Sequence, residues 1–181
     1  MLFRSIIHTA KDKKTHCIDG LGVWPKLITP DYFQKRHGGK IPPGVERCVV
    51  PAAPDAWLTA LSNYGTMSFG EVASAAIRFA SKGFPVYALL SQFITTHRKD
   101  YERWPSSAKV FLPKGRVPQV GEVFVQSDLG RTLQFLADEE RKVARKKGRK
   151  AGLKAARDAL DRKSTRLNSS HIPLSRMPSS A

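Results

Sequence analysis

Imidazoles, thiols, one acidic turn and one basic run are the places where this chain of 181 residues could do chemistry. His8, His16, His37 and His97 show no ligand spacing, so a metal site is not expected. Cys17 and Cys48 form no C-x-x-C pair and no ladder of spacings. Neither a zinc site nor a disulfide framework is expected, and the redox compartment stays open. Asp19-Gly20-Leu21-Gly22 sets a carboxylate at a glycine-rich turn ahead of Pro25. The basic run holds Arg141, Lys142, Arg145, Lys146, Lys147, Arg149, Lys150, Lys154 and Arg157. Such a run can bind RNA or an acidic surface through counterion release. Its helical spacing spreads the charges round the axis instead of making one stripe, and the aromatic interleaving of a single-strand binder is missing. A solvated insertion is the plainer reading; a small basic nucleic-acid-binding module using residues 141–157 is the alternative.

The elements that must hold these groups follow from pattern and punctuation. Ile6-Ile7-His8-Thr9 and Thr15-His16-Cys17-Ile18 flank the charged turn Lys11-Asp12-Lys13-Lys14 and predict a β-hairpin. Gly20, Gly22 and Pro25 break its second strand. Prolines and glycines through residues 25–47 read as a connector, with one helical turn over 30–35. Pro51 and Pro54 forbid a central strand over 49–57. Asp55 is expected to cap a helix over 56–64, which Gly65 ends in the left-handed conformation. Ser68 and Glu71 make a capping box before Phe69, Val72, Ala73, Ala76, Ile77 and Ala80 at helical spacing. Gly83 closes that helix and Pro85 prevents its return. A third helix is expected over 87–103, then a loop over 104–127 anchored by Phe111, Val117 and Val123. Ser127 or Asp128 caps a last helix with Leu129, Leu133 and Leu136 on one face, which fades after Asp138. The expected fold class is a mainly α-helical fragment with a short β-hairpin (α+β). No apolar run approaches the length of a membrane-spanning helix.

The net charge of +16, from 31 basic and 15 acidic residues, points at face value to nucleic acid or an anionic surface. Part of that charge sits at the two ends. Asp161-Arg162-Lys163-Ser164-Thr165-Arg166-Leu167-Asn168-Ser169-Ser170-His171 resembles a translated frame of a common short-read sequencing adapter, and Ser175-Arg176-Met177-Pro178-Ser179-Ser180-Ala181 resembles its far end. Met1-Leu2-Phe3-Arg4-Ser5 is similar to the complementary strand. A polar natural tail is the alternative, and residues 161–181 have no apolar periodicity that could bury a face. Residues 1–5 and 161–181 are therefore expected to be adapter-derived, the latter disordered, with 6–160 the biological segment. Without the five cations and one acid of these ends the net charge is +12. On that reading Met1 is not a true start, and the lack of a signal peptide says nothing about secretion.

Five motifs stand in register. They are Ile18-Asp19-Gly20 before Pro25, the segment from Val49-Val50-Pro51 through Pro54-Asp55-Ala56-Trp57, Tyr64-Gly65-Thr66, Ala76-Ile77-x-x-Ala80-x-x-Gly83-Phe84-Pro85-Val86, and Gln126-x-Asp128-Leu129-x-x-Thr132-Leu133. The series resembles the large subunit of the gamma-glutamyltransferase (gamma-glutamyltranspeptidase) family, over about residues 14–137; no single motif decides it, and five in order are specific. The resemblance implies that residues 6–160 are a fragment of that subunit. It makes Asp19, Pro25, Pro51, Asp55, Trp57, Gly65, Thr66, Ala76, Ile77, Gly83, Phe84 and Pro85 structural motif residues, none of them catalytic.

The resemblance further implies an N-terminal-nucleophile hydrolase, a sandwich of two sheets between helices (αββα) in the whole enzyme. Such a precursor cleaves itself, and the freed threonine attacks the gamma-glutamyl amide while backbone amides hold the oxyanion. Those parts lie on the small subunit. The implied partners are thus the small-subunit portion of the same precursor and, in the parent, a small-molecule gamma-glutamyl or related amide substrate. No cofactor or metal is implied, nucleic acid is not expected, and the compartment stays open between bacterial cytoplasm and periplasm. The fragment alone is expected to be inactive and to fold poorly.

One departure bears on substrate. In the family's Asp-x-Arg-Glu-x-x-Pro stretch, the Arg clamps the substrate α-carboxylate as a bidentate donor. Leu21 occupies that slot here and cannot pair with a carboxylate. Either the substrate is another amide, or Gly20-Leu21-Gly22 only shapes a turn. Ala52 and Ala56 also stand where the family favours glycine. Ile94-Thr95-Thr96-His97 resembles the T-T-H that opens the small subunit, but Arg98-Lys99 follow where the family has an apolar residue and Ser, and the position is too early. Thr96 is therefore read as part of a solvent-facing helix.

Overall fold

The structure, a computed structural model, describes residues 4–25, 28–29 and 31–160. Pro30, the start of the expected helical turn, lies outside them, as do residues 1–3 and 161–181 with most of the adapter-like segments. The chain divides between Met67 and Ser68 into two compact units.

In the first unit, β1 (Arg4–Thr9) pairs antiparallel with β2 (Lys14–Asp19), in a register that sets Ile6 opposite Cys17 and Ile7 opposite His16. Arg4 and Ser5 already belong to the ladder, opposite Asp19 and Ile18. Asp12 organises the turn by accepting from the Thr9 hydroxyl and, at 3.3 Å, from the Lys14 amide. The helical turn of the connector is α1 (Tyr32–His37), later than expected, and Gly38 closes it in the left-handed conformation. A 3-10 turn follows at Val45–Arg47. Next, α2 (Ala53–Tyr64) begins before Asp55. Pro54 fits the first turn, where its missing N–H removes no helical bond, so Asp55 lies inside the helix and does not cap it. Gly65 does close α2, donating to the Leu61 carbonyl at 3.1 Å. Its backbone is extended (φ −96°, ψ 169°), however, and no left-handed cap forms.

The second unit is built on helices. α3 (Phe69–Lys82) runs against α7 (Ser127–Lys147), and α8 (Arg149–Ala159) folds back onto α7. Phe69, Ala73 and Ala80 of α3, Leu133, Leu136 and Ala137 of α7, and Leu153, Ala156 and Ala159 of α8 are buried. Glycines permit the close approach: a Cβ at Gly130 would lie 2.3 Å from Ser81 Oγ, and one at Gly152 would lie 2.7 Å from the Ala144 Cβ. Two expectations for the last helix are corrected here. Leu129 is 45% exposed, because the buried face runs through Gly130, Leu133, Ala137 and Glu140. Nor does the apolar face end at Asp138; it resumes in α8 beneath the basic run. Gln126 precedes α7 without a side-chain cap, so Ser127 and Asp128 are in its first turn. There Asp128 pairs with Arg131 and complements the helix dipole.

Between α3 and α7 the chain is more helical than expected. Residues 87–103 form α4 (Ala88–Thr96) and α5 (Arg98–Glu102), broken at His97 (φ −104°, ψ 19°). Residues 104–127 contain α6 (Pro105–Phe111), with Pro105 in its first turn. They also contain β4 (Val123–Phe124), antiparallel to β3 (Phe84–Pro85). Val123 is 65% exposed, and Phe124 is the buried anchor. Strand faces alternate, so a one-residue shift moves the anchor to the other side. The described fold is mostly helical with a small hairpin, and none of its helices is long and apolar enough to cross a membrane.

Candidate functional site

The acidic turn after β2 is a built feature. Asp19 Oδ1 accepts from the Leu21 amide at 2.9 Å, an Asx turn that uses one carboxylate oxygen locally. Gly22 takes φ +85°, and a Cβ there would lie 2.1 Å from the Val50 carbonyl oxygen, so no other residue fits. The next residue closes the clamp, its Val23 carbonyl accepting from the Val50 amide at 2.9 Å. The motif residues Asp19 to Pro25 are thereby fastened to Val50-Pro51, at the entrance to the helix carrying Asp55 and Trp57. Leu21 is half-buried. Arg4 Nε stands 3.9 Å from Asp19 Oδ1 with both side chains exposed, which adds little.

A second cluster, not foreseen from sequence, folds the connector around Glu46. Tyr32 donates to Glu46 Oε1 at 2.6 Å. His37 Nε2 stands 2.7 Å from Oε2, off hydrogen-bonding alignment, and Arg36 Nε stands 3.8 Å from Oε1. The Tyr32 hydrogen bond holds the Glu46 carboxyl below its usual range, and the same bond raises the Tyr32 phenol. Fourteen residues separate these partners, too far for local pattern to reveal. The cluster is a staple between α1 and the 3-10 turn.

In the second unit the motif Gly83-Phe84-Pro85-Val86 welds the end of α3 to residues 121–126. A Cβ at Gly83 (φ +89°) would fall 2.4 Å from Val123 Cγ1 and 3.0 Å from the Phe124 carbonyl. Phe84 and Phe124 meet edge to face at 5.8 Å. Val86 donates to the Glu122 carbonyl and accepts from Gly121, both at 2.8 Å, and Gln126 donates to the Ala80 carbonyl at 2.9 Å. Ala76 is exposed and Ile77 half-buried on α3. The start of α3 is closed completely. Ser68 and Glu71 form the expected capping box. Glu140, only 2% exposed, reaches from α7 to accept from the Phe69 amide at 2.9 Å and the Gly70 amide at 3.0 Å.

The Thr96 hydroxyl donates back to the Gln92 carbonyl at 3.0 Å on the exposed end of α4. His97 is engaged elsewhere, with Nδ1 3.0 Å from the Phe93 carbonyl and its ring stacked on Phe93 at 4.2 Å. Among the described residues no three His, Cys, Asp or Glu side chains gather where they could hold a metal ion. Gly65 and Thr66 lie at the end of α2, Thr66 exposed. Asp19 and Gly83 thus lie at turns and Gly65 at a helix end, whereas Ala76 and Ile77 lie within α3.

Comparison with known proteins places the chain in a family. The sequence pattern of the gamma-glutamyltranspeptidase family matches residues 3–149. The glutathione hydrolase proenzyme of Bacillus subtilis (strain 168) is 30% identical over 137 residues, which are 72% of this chain and 23% of that protein. The acylase ACY 1 proenzyme of Pseudomonas sp. (strain SE83) is 38% identical over 96 residues, 53% of this chain and 17% of that one. Among solved structures, the cephalosporin acylase from Bacillus halodurans superposes with a TM-score of 0.67 at 29% identity, covering 75% of this chain and 26% of that one. The chain therefore spans about a quarter or less of the length of these relatives.

Proposed function

The chain belongs to the gamma-glutamyltranspeptidase family, and on that premise we propose that it is a large-subunit portion of an enzyme that transfers or hydrolyses gamma-glutamyl or related amide groups. The family match over residues 3–149 carries this reading. In the whole enzyme the nucleophile is the threonine freed by self-cleavage, on a small subunit that is the partner of this portion. The word proenzyme in the names of the relatives supports such processing. The hairpin joins the larger sheets of an αββα sandwich, and Ile6, 77% exposed on it, is an apolar surface awaiting cover. Val72 and Phe79 on α3, with Leu89 and Phe93 on α4, are large apolar side chains left in water in the same way.

Asp19, Gly22 and Val50 shape the turn that presents position 21. Leu21 there offers no guanidinium to an α-carboxylate, so the substrate is an amide whose acyl part is held without that clamp. The acylase names among the relatives fit a substrate range wider than glutathione. Residues 1–5 and 161–181 are taken as translated adapter, which the genomic sequence of the source locus tests. Nothing in the fold or the comparisons favours a nucleic-acid-binding module over 141–157.

The chain by itself is expected to release no p-nitroaniline from a gamma-glutamyl p-nitroanilide; release by the purified chain overturns the assignment of the nucleophile elsewhere. The parent gene is expected to continue past Leu160 into a Thr-Thr-His segment, and its product to cleave itself before that threonine. In that product Leu21→Arg is expected to lower KM for substrates with a free α-carboxylate and leave others unchanged. An equal effect on both kinds of substrate removes position 21 from recognition.

A further inference from the structure

The α7–α8 elbow carries a charge arrangement that folding does not require. The helices meet at Gly148 (φ +81°), whose amide closes α7 on the Ala144 carbonyl at 2.9 Å. The elbow is rigidly seated, because α8 buries Gly152, Leu153, Ala156 and Ala159, and a Cβ at Gly152 would meet the Glu140 carbonyl at 2.8 Å. Arg145, Lys146, Lys147, Arg149 and Lys150 surround it within six positions. The nearby acids are already engaged. Glu140 caps α3, Asp138 holds Arg141 at 3.3 Å, Glu139 holds Lys142 at 3.8 Å, and Asp158 holds Lys154 at 2.8 Å. Arg145, Lys146, Lys147 and Lys150 are exposed and enter no ion pair among the described residues. In the last turn of α7 such cations complement the helix dipole. In the first turn of α8, which has no acid, Lys150 adds to a positive end and repels it. An anion from outside the chain would relieve that repulsion.

We propose that this elbow is a docking tip for an anionic phospholipid bilayer. Its exposed cations gather at the turn between two helices that fold back on each other. Fluid anionic lipids can gather round such a tip, whereas the phosphates of a duplex are fixed in spacing. Residues 136–160 contain no aromatic ring on which bases could stack. The apolar side chains of α8 are turned onto α7, so attachment is peripheral and electrostatic.

The test is co-sedimentation of the full chain with vesicles at near-physiological salt. Binding is expected to vesicles of phosphatidylglycerol and phosphatidylcholine in equal parts, and not to pure phosphatidylcholine. Removing cations near a bilayer weakens partitioning by about fivefold each, so Arg145→Gln, Lys146→Gln, Lys147→Gln and Lys150→Gln together should lower it by roughly several hundredfold. Helicity by circular dichroism should be unchanged, and the pair Lys146→Gln and Lys147→Gln alone should give a smaller loss in the same direction. A control of equal net charge, Lys11→Gln, Lys40→Gln, Lys99→Gln and Lys109→Gln, should retain binding. The proposal fails if the wild-type chain ignores the mixed vesicles, or if tip and control variants lose binding alike. It also fails if RNA at the same salt binds more tightly than the vesicles and depends on the same four cations.

Discussion

A carboxylate as dry as that of Glu140 persists only when its oxygens are paired. Both are, on the Phe69 and Gly70 amides at the positive end of α3. Glu140→Ala leaves two buried donors without acceptors, and the expected loss is about 3 kcal/mol by urea unfolding. Glu140→Gln keeps one carbonyl acceptor and should cost less; equal losses for the two variants would show that the side chain only fills space. Gly22→Ala meets both a forbidden φ and the Val50 carbonyl. It should release the turn after β2, seen as faster hydrogen exchange at the Val50 amide, and unchanged protection there would refute the clamp. Glu122 gives a pH prediction. It accepts from Arg116 at 2.9 and 2.5 Å and from the Gln119 amide at 2.7 Å. The Arg116 hydrogen bond, then that of Gln119, lower its pKa to about 2 from 4.5. A depressed folded pKa means stabilisation that is complete above 4.5 and lost as pH falls toward 2. Glu122→Gln should therefore speed exchange in the 116–122 loop at neutral pH, with the difference from wild type closing as pH falls through that window. A difference independent of pH would exclude the carboxylate as the cause.

At the scale of elements, legibility followed how locally each one is determined. α3 was readable because Ser68, Glu71 and Gly83 mark both ends through bonds that span three or four residues. Ser68→Ala should accordingly destabilise by about 1 kcal/mol, measured by urea titration, and a neutral result would mean that Glu140 alone suffices to hold the start of α3. The hairpin was readable from its β-branched strands and charged turn. Elsewhere the same residue types serve two purposes. Gly65 ends a helix while extended, so a terminal glycine does not specify its own φ. Pro105 opens a helix where a loop was expected, because proline is as welcome at a first helical position as in a loop. The break at His97 has no sequence marker. In α8 the spacing of Gly152, Leu153, Ala156 and Ala159 was hidden beneath the cations, and only packing against α7 gives it meaning. The candidate turn was half-legible. Its glycines marked a bend, but the contact that requires Gly22 comes from residue 50, beyond the reach of local pattern.

For the whole molecule the question is whether this length of chain has enough interior to fold as one body. The second unit distributes its buried side chains over α3, α4, α7, α8 and β4, with Leu136, Leu153 and Ile94 almost fully enclosed. Among the described residues the first unit buries far less: Phe33, Ala56 and Leu58 are its enclosed apolar side chains. Its two-stranded hairpin leaves Ile6 in water, and an isolated hairpin is marginal. Cores this unequal should not melt together. The expected calorimetric trace is therefore a broad, low-enthalpy loss of the first unit followed by a steeper transition of the second. Amides of β1 and β2 should exchange well before those of α3 and α7. Supplying the remainder of the parent in one polypeptide should merge the two transitions, because the exposed apolar side chains of both units would then be covered. A single sharp transition of the isolated chain, with calorimetric and van't Hoff enthalpies equal, would show that residues 4–160 already possess a self-sufficient core.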